Sequence, residues 1–394
     1  MQYRTFGSLD YKPSALGFGC MRFPSKDGQL DVDEAVAMIR SGIDSGINYL
    51  DTAYPYHDGR SEGIVGQAIK GGYRDKVKIT TKMPTWLVKK AEDFDTLLDE
   101  QLSRLGLDSV DFYLLHSIGK DEYQRLKTLG VLEWAEKAMA QGRFGRLGFS
   151  SHDSFEGIKY VLDDYDSWVL CQIQYNYIDS VGEPGTKCLK YIASKGVAAV
   201  IMEGLRGGSL VGPPPPIEKI WDKAARKRSP ADWGLQWLWS QPEVSLVLSG
   251  MSSMEQVEQN IASASASRPG LLSAEELGLF DEARAEYKKL TAVPCTGCRY
   301  CMPCPNGVDI PRNFGIYNDG IRFDKPEKAR GDYAWMLQAQ KLGLAKADER
   351  AASCVGCRAC EAQCPQKIPI ADWMEQLKRS LGGDAPLATR LPAR

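Results

Sequence analysis

Eight of the chain's eleven cysteines crowd into its last quarter as two near-identical runs: Cys295-x-x-Cys298-x-x-Cys301-x-x-Cys304-Pro305 and Cys354-x-x-Cys357-x-x-Cys360-x-x-x-Cys364-Pro365. Three thiolates spaced this closely come from one turn of chain and can grip three irons of a cubane, while a fourth arrives from elsewhere. Structural zinc also takes Cys-x-x-Cys pairs. It draws on two separated pairs per ion, however, rather than on four cysteines in one run ending in proline. A disulfide framework fits worse, because nothing marks the chain as secreted. The spacing therefore points to 4Fe–4S centres.

The second run matches the bacterial ferredoxin signature letter for letter, and the first is one residue short of it. In two-cluster ferredoxins the Cys before Pro ligates the other cluster. On that pattern Cys295, Cys298, Cys301 and Cys364 hold one centre, and Cys354, Cys357, Cys360 and Cys304 hold the second. Met1-Gln-Tyr-Arg leads into polar residues with no apolar signal core. Apolar stretches such as Val197–Met202 are far too short to span a bilayer. A cytoplasmic, reducing compartment and no membrane span are expected, and the clusters point to an anaerobic or microaerobic host.

At 394 residues the chain accommodates one large domain and a small appendage. Its 43% hydrophobic and 25% charged content is that of an ordinary globular protein. A net charge of −2 gives no reason to expect nucleic acid or an anionic membrane as a partner. Cys20, Cys171 and Cys188 lie in or near apolar runs and read as buried free thiols.

Upstream of the cysteines, short β-rich apolar runs recur at intervals of about 25 to 35 residues, with one longer gap before the last. They are Ala15–Cys20, Ile47–Ala53, Val77–Lys82, Val110–His116, Arg146–His152, Leu170–Asn176, Ala198–Gly204 and Ser245–Gly250. Helical patterns separate them; in Phe94–Leu107, Leu98, Leu102 and Leu105 repeat along one face. Strict alternation of strand and helix demands a parallel sheet, and eight repeats are the number that closes a (β/α)8 barrel. Each run ends in polar or reactive residues, among them Asp51, Lys82, His116, Ser150, Gln172 and Glu203. In such a barrel these ends converge on one rim, where catalytic residues sit. The expected class is thus α/β: a TIM barrel over 1–285, a mainly helical ferredoxin-like two-cluster domain over 286–380, and a loose tail over 381–394.

The segments Asn48-Tyr-Leu-Asp51-Thr-Ala-Tyr-Pro-Tyr56, Ile79-Thr-Thr-Lys82 and Gln101–His116 resemble the aldo-keto reductase family. With Cys295–Pro311, the whole chain resembles the subfamily whose barrel carries a C-terminal ferredoxin-type domain. The resemblance places a catalytic tetrad on Asp51, Tyr56, Lys82 and His116. It implies hydride transfer between NADPH or NADH and a small carbonyl or alcohol substrate, with Tyr56 as proton donor. A free tyrosine, with a pKa of about 10, is a poor acid near neutrality. An adjacent Lys82 ammonium is expected to lower that pKa, Asp51 to hold the lysine, and His116 to orient the carbonyl.

The resemblance also assigns the nicotinamide carboxamide to Ser150 and Gln172, with Ser151 where Asn is more common. Met202 stands where many relatives place an aromatic ring, followed by Glu203 and Arg206. Gly250, Ser252, Gln256, Gln259 and Asn260 match the adenosine side, and Ser252 with Glu255 reads as a capping box opening a helix. Gly250 and Gln256 replace the Lys and Arg that many relatives use for the 2′-phosphate, and Arg206 is a candidate substitute. Tyr54, His57 and Trp86 are candidate walls of the substrate pocket. Two helices, Asn313–Phe323 and Tyr333–Ala345, are expected between the cysteine runs.

A nicotinamide moves two electrons together, whereas a 4Fe–4S centre moves one. Three readings follow. The barrel reduces carbonyls with NAD(P)H while the clusters link it to a ferredoxin, flavoprotein or other redox partner. Alternatively, the clusters drive one-electron reduction of a barrel-bound substrate without nicotinamide, or the chain is an electron-relay subunit.

Overall fold

Side chains alternate along a strand, so the parity of each apolar run decides what enters a barrel and what reaches its mouth. In the computed structural model, which describes residues 1–182, 184–341 and 345–391, the runs form parallel strands. They are β1 (Leu16–Gly19), β2 (Tyr49–Asp51), β3 (Lys78–Met83), β4 (Val110–Leu115), β5 (Phe144–Ser151), β6 (Leu170–Gln174), β7 (Ala198–Met202) and β8 (Val244–Gly250). Each pairs with its sequence neighbours, and β1 pairs with both β2 and β8, so among the described residues eight strands close a barrel. Helices such as Val32–Asp44 and Glu92–Leu105 connect them. The second of these ends where Gly106 takes the left-handed conformation, φ 65°, that glycine adopts without strain.

Tyr49, Phe112, Leu114, Leu170, Val200 and Leu246 fill the interior. The N-terminal hairpin, bridged at Tyr3–Ser14 and Phe6–Leu9, inserts Phe6 among them, 5.3 Å from Phe112 and 6.1 Å from Tyr49 between ring centroids. With one end filled, a pocket is possible only at the other. Parity puts Asp51 on the face of Tyr49, Lys82 opposite Leu114, and Gln172 on the face of Leu170. Cys20, Cys171 and Cys188 are buried.

By their contacts, Met1–Gly208 with Arg228–Leu277 form one compact unit, and Ser209–Lys227 with the chain from Gly278 form a second. In the second, helices Ile310–Arg322, Pro326–Lys341 and Ile370–Leu381 pack around Phe314, Tyr317, Tyr333 and Trp373. The first two overlap the expected pair, but Pro326–Lys341 begins earlier than expected; part of the expected stretch, 342–344, lies outside the described residues. In the segment expected to be a loose tail, the Tyr317 hydroxyl donates to the Ala388 carbonyl at 3.0 Å and accepts from its N–H at 2.8 Å. Residues 392–394 lie outside the described residues. Among the described residues no helix is long and apolar enough to cross a membrane.

Phe6→Ala removes the aromatic plug. A loss of about 3–5 kcal/mol is expected, read as a lower urea midpoint of the barrel's unfolding transition; an unchanged midpoint would show that the hairpin does not close the barrel.

Candidate active site and cluster-binding loops

Lys82 and Asp51 are 0% and 2% exposed, yet they bring opposite charges to one point. The Lys82 ammonium donates to Asp51 Oδ1 at 2.5 Å, to the Thr52 carbonyl at 2.9 Å and to the Tyr56 hydroxyl at 3.4 Å. His116, just past β4, stands edge-on to Tyr56 with ring centroids 6.2 Å apart. Trp86 lies 5.2 Å from His116 on the loop after β3. The four tetrad positions and Trp86 therefore converge.

Electrostatics assigns each group a state. Burial opposes the Lys82 charge, but Asp51 and then Tyr56 outweigh it and hold the ammonium above its ordinary range. Burial raises Asp51, with Lys82 pulling it down. Burial, then Lys82 and the neighbouring His152, push His116 well down, so its imidazole is neutral near pH 7. For Tyr56 the sequence-based expectation needs correcting. Lys82 does pull its pKa down, but burial is larger and Asp51 adds to it, so the phenol lies above its ordinary value of 10.0. Part of the Tyr56 residue reaches solvent, while its hydroxyl faces the buried ammonium.

A second buried network braces this geometry. Glu62, 0% exposed, accepts from Thr81 Oγ1 at 2.6 Å, from Gln101 Nε2 at 2.7 Å and from Arg104 at 3.3 Å. Gln101 also donates to the Lys82 carbonyl at 3.0 Å, and Arg104 to the Tyr54 carbonyl at 3.3 Å. The network thus ties the strand bearing Lys82 to the loop bearing Tyr56. Nothing in the sequence marks it, since a lone Glu or Arg is ordinarily a surface residue.

The rim residues divide. The Ser150 hydroxyl accepts from the Ser117 N–H at 2.8 Å, and the Ser151 hydroxyl from the Asp153 N–H at 3.1 Å. Gln172 Nε2 approaches the Met202 sulfur at 3.7 Å, while its Oε1 is buried without a partner among the described residues. That orphaned acceptor suits the N–H of a carboxamide. Glu203 and Arg206 both take positive φ, at 55° and 51°. Arg206 is ion-paired with Asp179, so its charge is already engaged.

The adenosine-side helix, Met254–Ala266, corrects the expected capping box by one residue. Ser253 is the cap and accepts from the Gln256 N–H, and Gln256 Oε1 accepts from the Ser252 N–H at 2.8 Å. Gln259 donates to Glu255 at 2.9 Å, and Asn260 to Ser249 Oγ at 3.1 Å. Arg22, not singled out from the sequence, lies beside this helix start. Its carbonyl accepts from Ser252 Oγ at 2.7 Å, and a Cβ at Gly250 would sit 2.7 Å from its Cγ. Gly250 makes room for it.

Two of the expected pocket walls are held by neighbouring side chains. The Tyr54 ring lies under the Arg104 guanidinium at 4.1 Å, and its hydroxyl donates to Glu100 at 3.2 Å. His57 stacks on Phe23 at 5.1 Å and accepts the Phe23 N–H at 3.2 Å.

In the second unit Cys295, Cys298, Cys301 and Cys364 line one cavity, backed by Ile310 and Phe314. Among the described residues no three acidic, His or Cys side chains close tightly enough for a single ion. A cubane would take one thiolate at each of its four irons. Cys360 is pushed up to about 11 by burial, with Glu361, Cys354 and Cys301 adding to it. Cys304 is partly buried against the same apolar core as Cys354, and Cys357 is exposed. The two loops share a backbone pattern: Gly297 and Arg299 in the first, Gly356 and Arg358 in the second, all at positive φ. Each arginine reaches an acid at the start of the following helix, Arg299 to Asp309 at 3.3 Å and Arg358 to Asp372 at 2.5 Å.

Comparison with known proteins agrees with this architecture. Residues 15–285 match the model of the aldo/keto reductase family, and residues 294–369 that of a 4Fe-4S dicluster domain. L-galactose dehydrogenase of Arabidopsis thaliana is 30% identical over 317 residues, 74% of this chain and 94% of its own. The NADH-specific methylglyoxal reductase of Escherichia coli is 25% identical over 304 residues, 65% of this chain and 91% of its own. An aldo-keto reductase from Klebsiella pneumoniae, solved in complex with NADPH, superposes with a TM-score of 0.59 at 28% identity, covering 72% of this chain and 95% of its own. The chain belongs to the aldo/keto reductase family and is an oxidoreductase whose barrel is joined to a C-terminal 4Fe–4S domain.

Proposed function

We propose that the barrel transfers hydride between NADPH or NADH and a small carbonyl or alcohol substrate, with Tyr56 as the proton donor. The observation that carries this reading is the buried Lys82 ammonium, which meets both Asp51 and the Tyr56 hydroxyl. A nicotinamide bound at the mouth would supply the hydride. As negative charge develops on the carbonyl oxygen, Tyr56 is placed to donate its proton and Lys82 to stabilise the phenolate that remains. The neutral His116 can donate a hydrogen bond to the same oxygen without competing as an acid. Gln172 Oε1 and Ser150 would hold the carboxamide, and Trp86 would form one wall of the substrate pocket.

The two cysteine runs would hold two 4Fe–4S clusters. Cys295, Cys298 and Cys301 sharing a cavity with Cys364 supports the crossed ligand assignment. Such centres supply single electrons when bound, and an external ferredoxin or flavoprotein is the partner we propose for them.

Anaerobically purified protein, offered a panel of small aldehydes, ketones and sugars, is expected to oxidise NADPH or NADH in a substrate-dependent way. Tyr56→Phe should lose about 10²–10⁴-fold in kcat while still binding nicotinamide by calorimetry; a variant with wild-type turnover would remove Tyr56 from the chemistry.

The direction of the Tyr56 shift fixes the pH dependence. A phenol donates only while protonated, and burial holds this one above 10.0. Reduction should therefore persist through neutral pH and fall only as pH rises beyond the ordinary tyrosine range. Lys82→Met removes the downward pull, making Tyr56 a weaker acid and moving that alkaline limb higher while kcat drops. A limb that moves to lower pH would contradict the assignment.

Arg22 is the cation we assign to the adenosine-side phosphate, because Arg206 is engaged by Asp179 and Gln256 by the helix cap. A charge-assisted hydrogen bond contributes about 1.5–3 kcal/mol, so Arg22→Ala should raise the KM for NADPH by at least about tenfold and that for NADH far less. Equal effects on both would exclude a role at the 2′-phosphate.

A further inference from the structure

Helix Ile310–Arg322 lies between the two cysteine runs in sequence and buries two asparagines among its apolar residues, Asn313 at 0% and Asn318 at 5% exposure. Both spend their amides on main chain rather than on other side chains. Asn318 takes both polar groups of Val293: Oδ1 accepts its N–H at 2.9 Å, and Nδ2 donates to its carbonyl at 2.8 Å. Asn313 Oδ1 accepts the Ala351 N–H at 2.8 Å, and its Nδ2 donates to the carbonyls of Glu349 at 2.8 Å and of Asp309 at 2.7 Å.

The clamped residues play matching parts, Val293 two residues before the first run and Ala351 three before the second. The Val293 carbonyl accepts the N–H of Cys295 at 2.7 Å, and the Ala351 carbonyl accepts the N–H of Cys354 at 2.9 Å. Each asparagine therefore grips the residue that itself fixes the first cysteine of one run. An amide is the side chain that offers a donor and an acceptor at this length. A carboxylate would turn lone pairs toward buried carbonyls, and an apolar side chain would leave the main-chain groups unpaired.

We propose that Asn318 and Asn313 are positioning residues for the two clusters: Asn318 for the centre held by Cys295, Cys298 and Cys301, and Asn313 for the centre held by Cys354, Cys357 and Cys360. This rests on the two-cluster reading given above. Each clamp fixes where its run begins and so keeps the thiols set for a cubane before iron arrives.

The test uses the full chain, reconstituted without oxygen, and measures iron and acid-labile sulfide per chain and the rate of iron loss to a chelator. Asn313→Asp and Asn318→Asp should each speed the release of about half the iron by about tenfold, the effect of losing one buried hydrogen bond, with unchanged far-ultraviolet circular dichroism. In a Cys357→Ser background, which lacks the second-run cluster, Asn313→Asp should have no further effect while Asn318→Asp speeds loss of the remaining iron. Cys298→Ser should reverse the pattern. Where Asn313→Asp or Asn318→Asp does not accumulate folded, Asn313→Ser and Asn318→Ser, which keep a shorter donor and acceptor, should show the same selectivity at smaller amplitude. Wild-type release rates in every variant, or equal loss from both clusters, would overturn the proposal. Wild-type protein that takes up the iron of one cubane would instead overturn the two-cluster reading, and is seen before any asparagine is changed.

Discussion

A positive charge with no exposed surface organises the barrel mouth. Removing an ammonium from water costs several kcal/mol even after relaxation, so Lys82 is sustained there only by what surrounds it. Asp51 supplies the countercharge, the Thr52 carbonyl a second acceptor and the Tyr56 hydroxyl a third. Three consecutive parts of the fold must agree for this to happen: the end of β2, the loop after it, and β3. The Glu62, Gln101 and Arg104 network enforces that agreement from behind by holding the carbonyls of Lys82 and Tyr54. The same arrangement leaves a proton on Tyr56 and a neutral imidazole on His116. Charge burial and chemical capability thus have one cause.

The second unit solves a different problem, which is how to hold closely spaced thiols in place. Its two loops repeat one construction: a glycine and an arginine at positive φ, an ion pair from that arginine to the next helix, and a buried asparagine fixing a residue two or three positions before the run. Left-handed backbone at a non-glycine residue is locally unfavourable and persists where the surroundings over-determine it. Here an ion pair anchors each arginine, so the loop shape is held by side chains as well as by any bound group.

Much of this was legible in the sequence because strand parity is rigid. A run such as Val110–His116, continuously apolar from Phe112 to Leu115 and ending in histidine, reads as a buried strand whose parity sets the direction of its last side chain, and β2 and β3 place Asp51 and Lys82 in the same way. What escaped depended on distances that no local pattern encodes. Ser252 with Glu255 fits a capping pattern, but the helix starts one residue later, at Met254, with Ser253 as its cap. Tyr54 and His57 are engaged by Arg104 and Phe23, contacts that no spacing along the loop announces. The direction of the Tyr56 shift is not legible in the sequence, because its charged neighbours are visible there and its burial is not. Helix Pro326–Lys341 was expected to begin later because its first two turns lack the apolar period that announces a helix.

The central claim is that the buried Lys82 ammonium marks the hydride-transfer site at the barrel mouth. An anaerobic crystal structure with oxidised nicotinamide cofactor bound tests it most directly. The account predicts the carboxamide on Gln172 Oε1 and Ser150, with the ring's reactive carbon facing the gap between the Tyr56 hydroxyl and His116. A nicotinamide ring bound elsewhere, or a mouth in which Tyr56 swings away from Lys82 once the cofactor is seated, would contradict it.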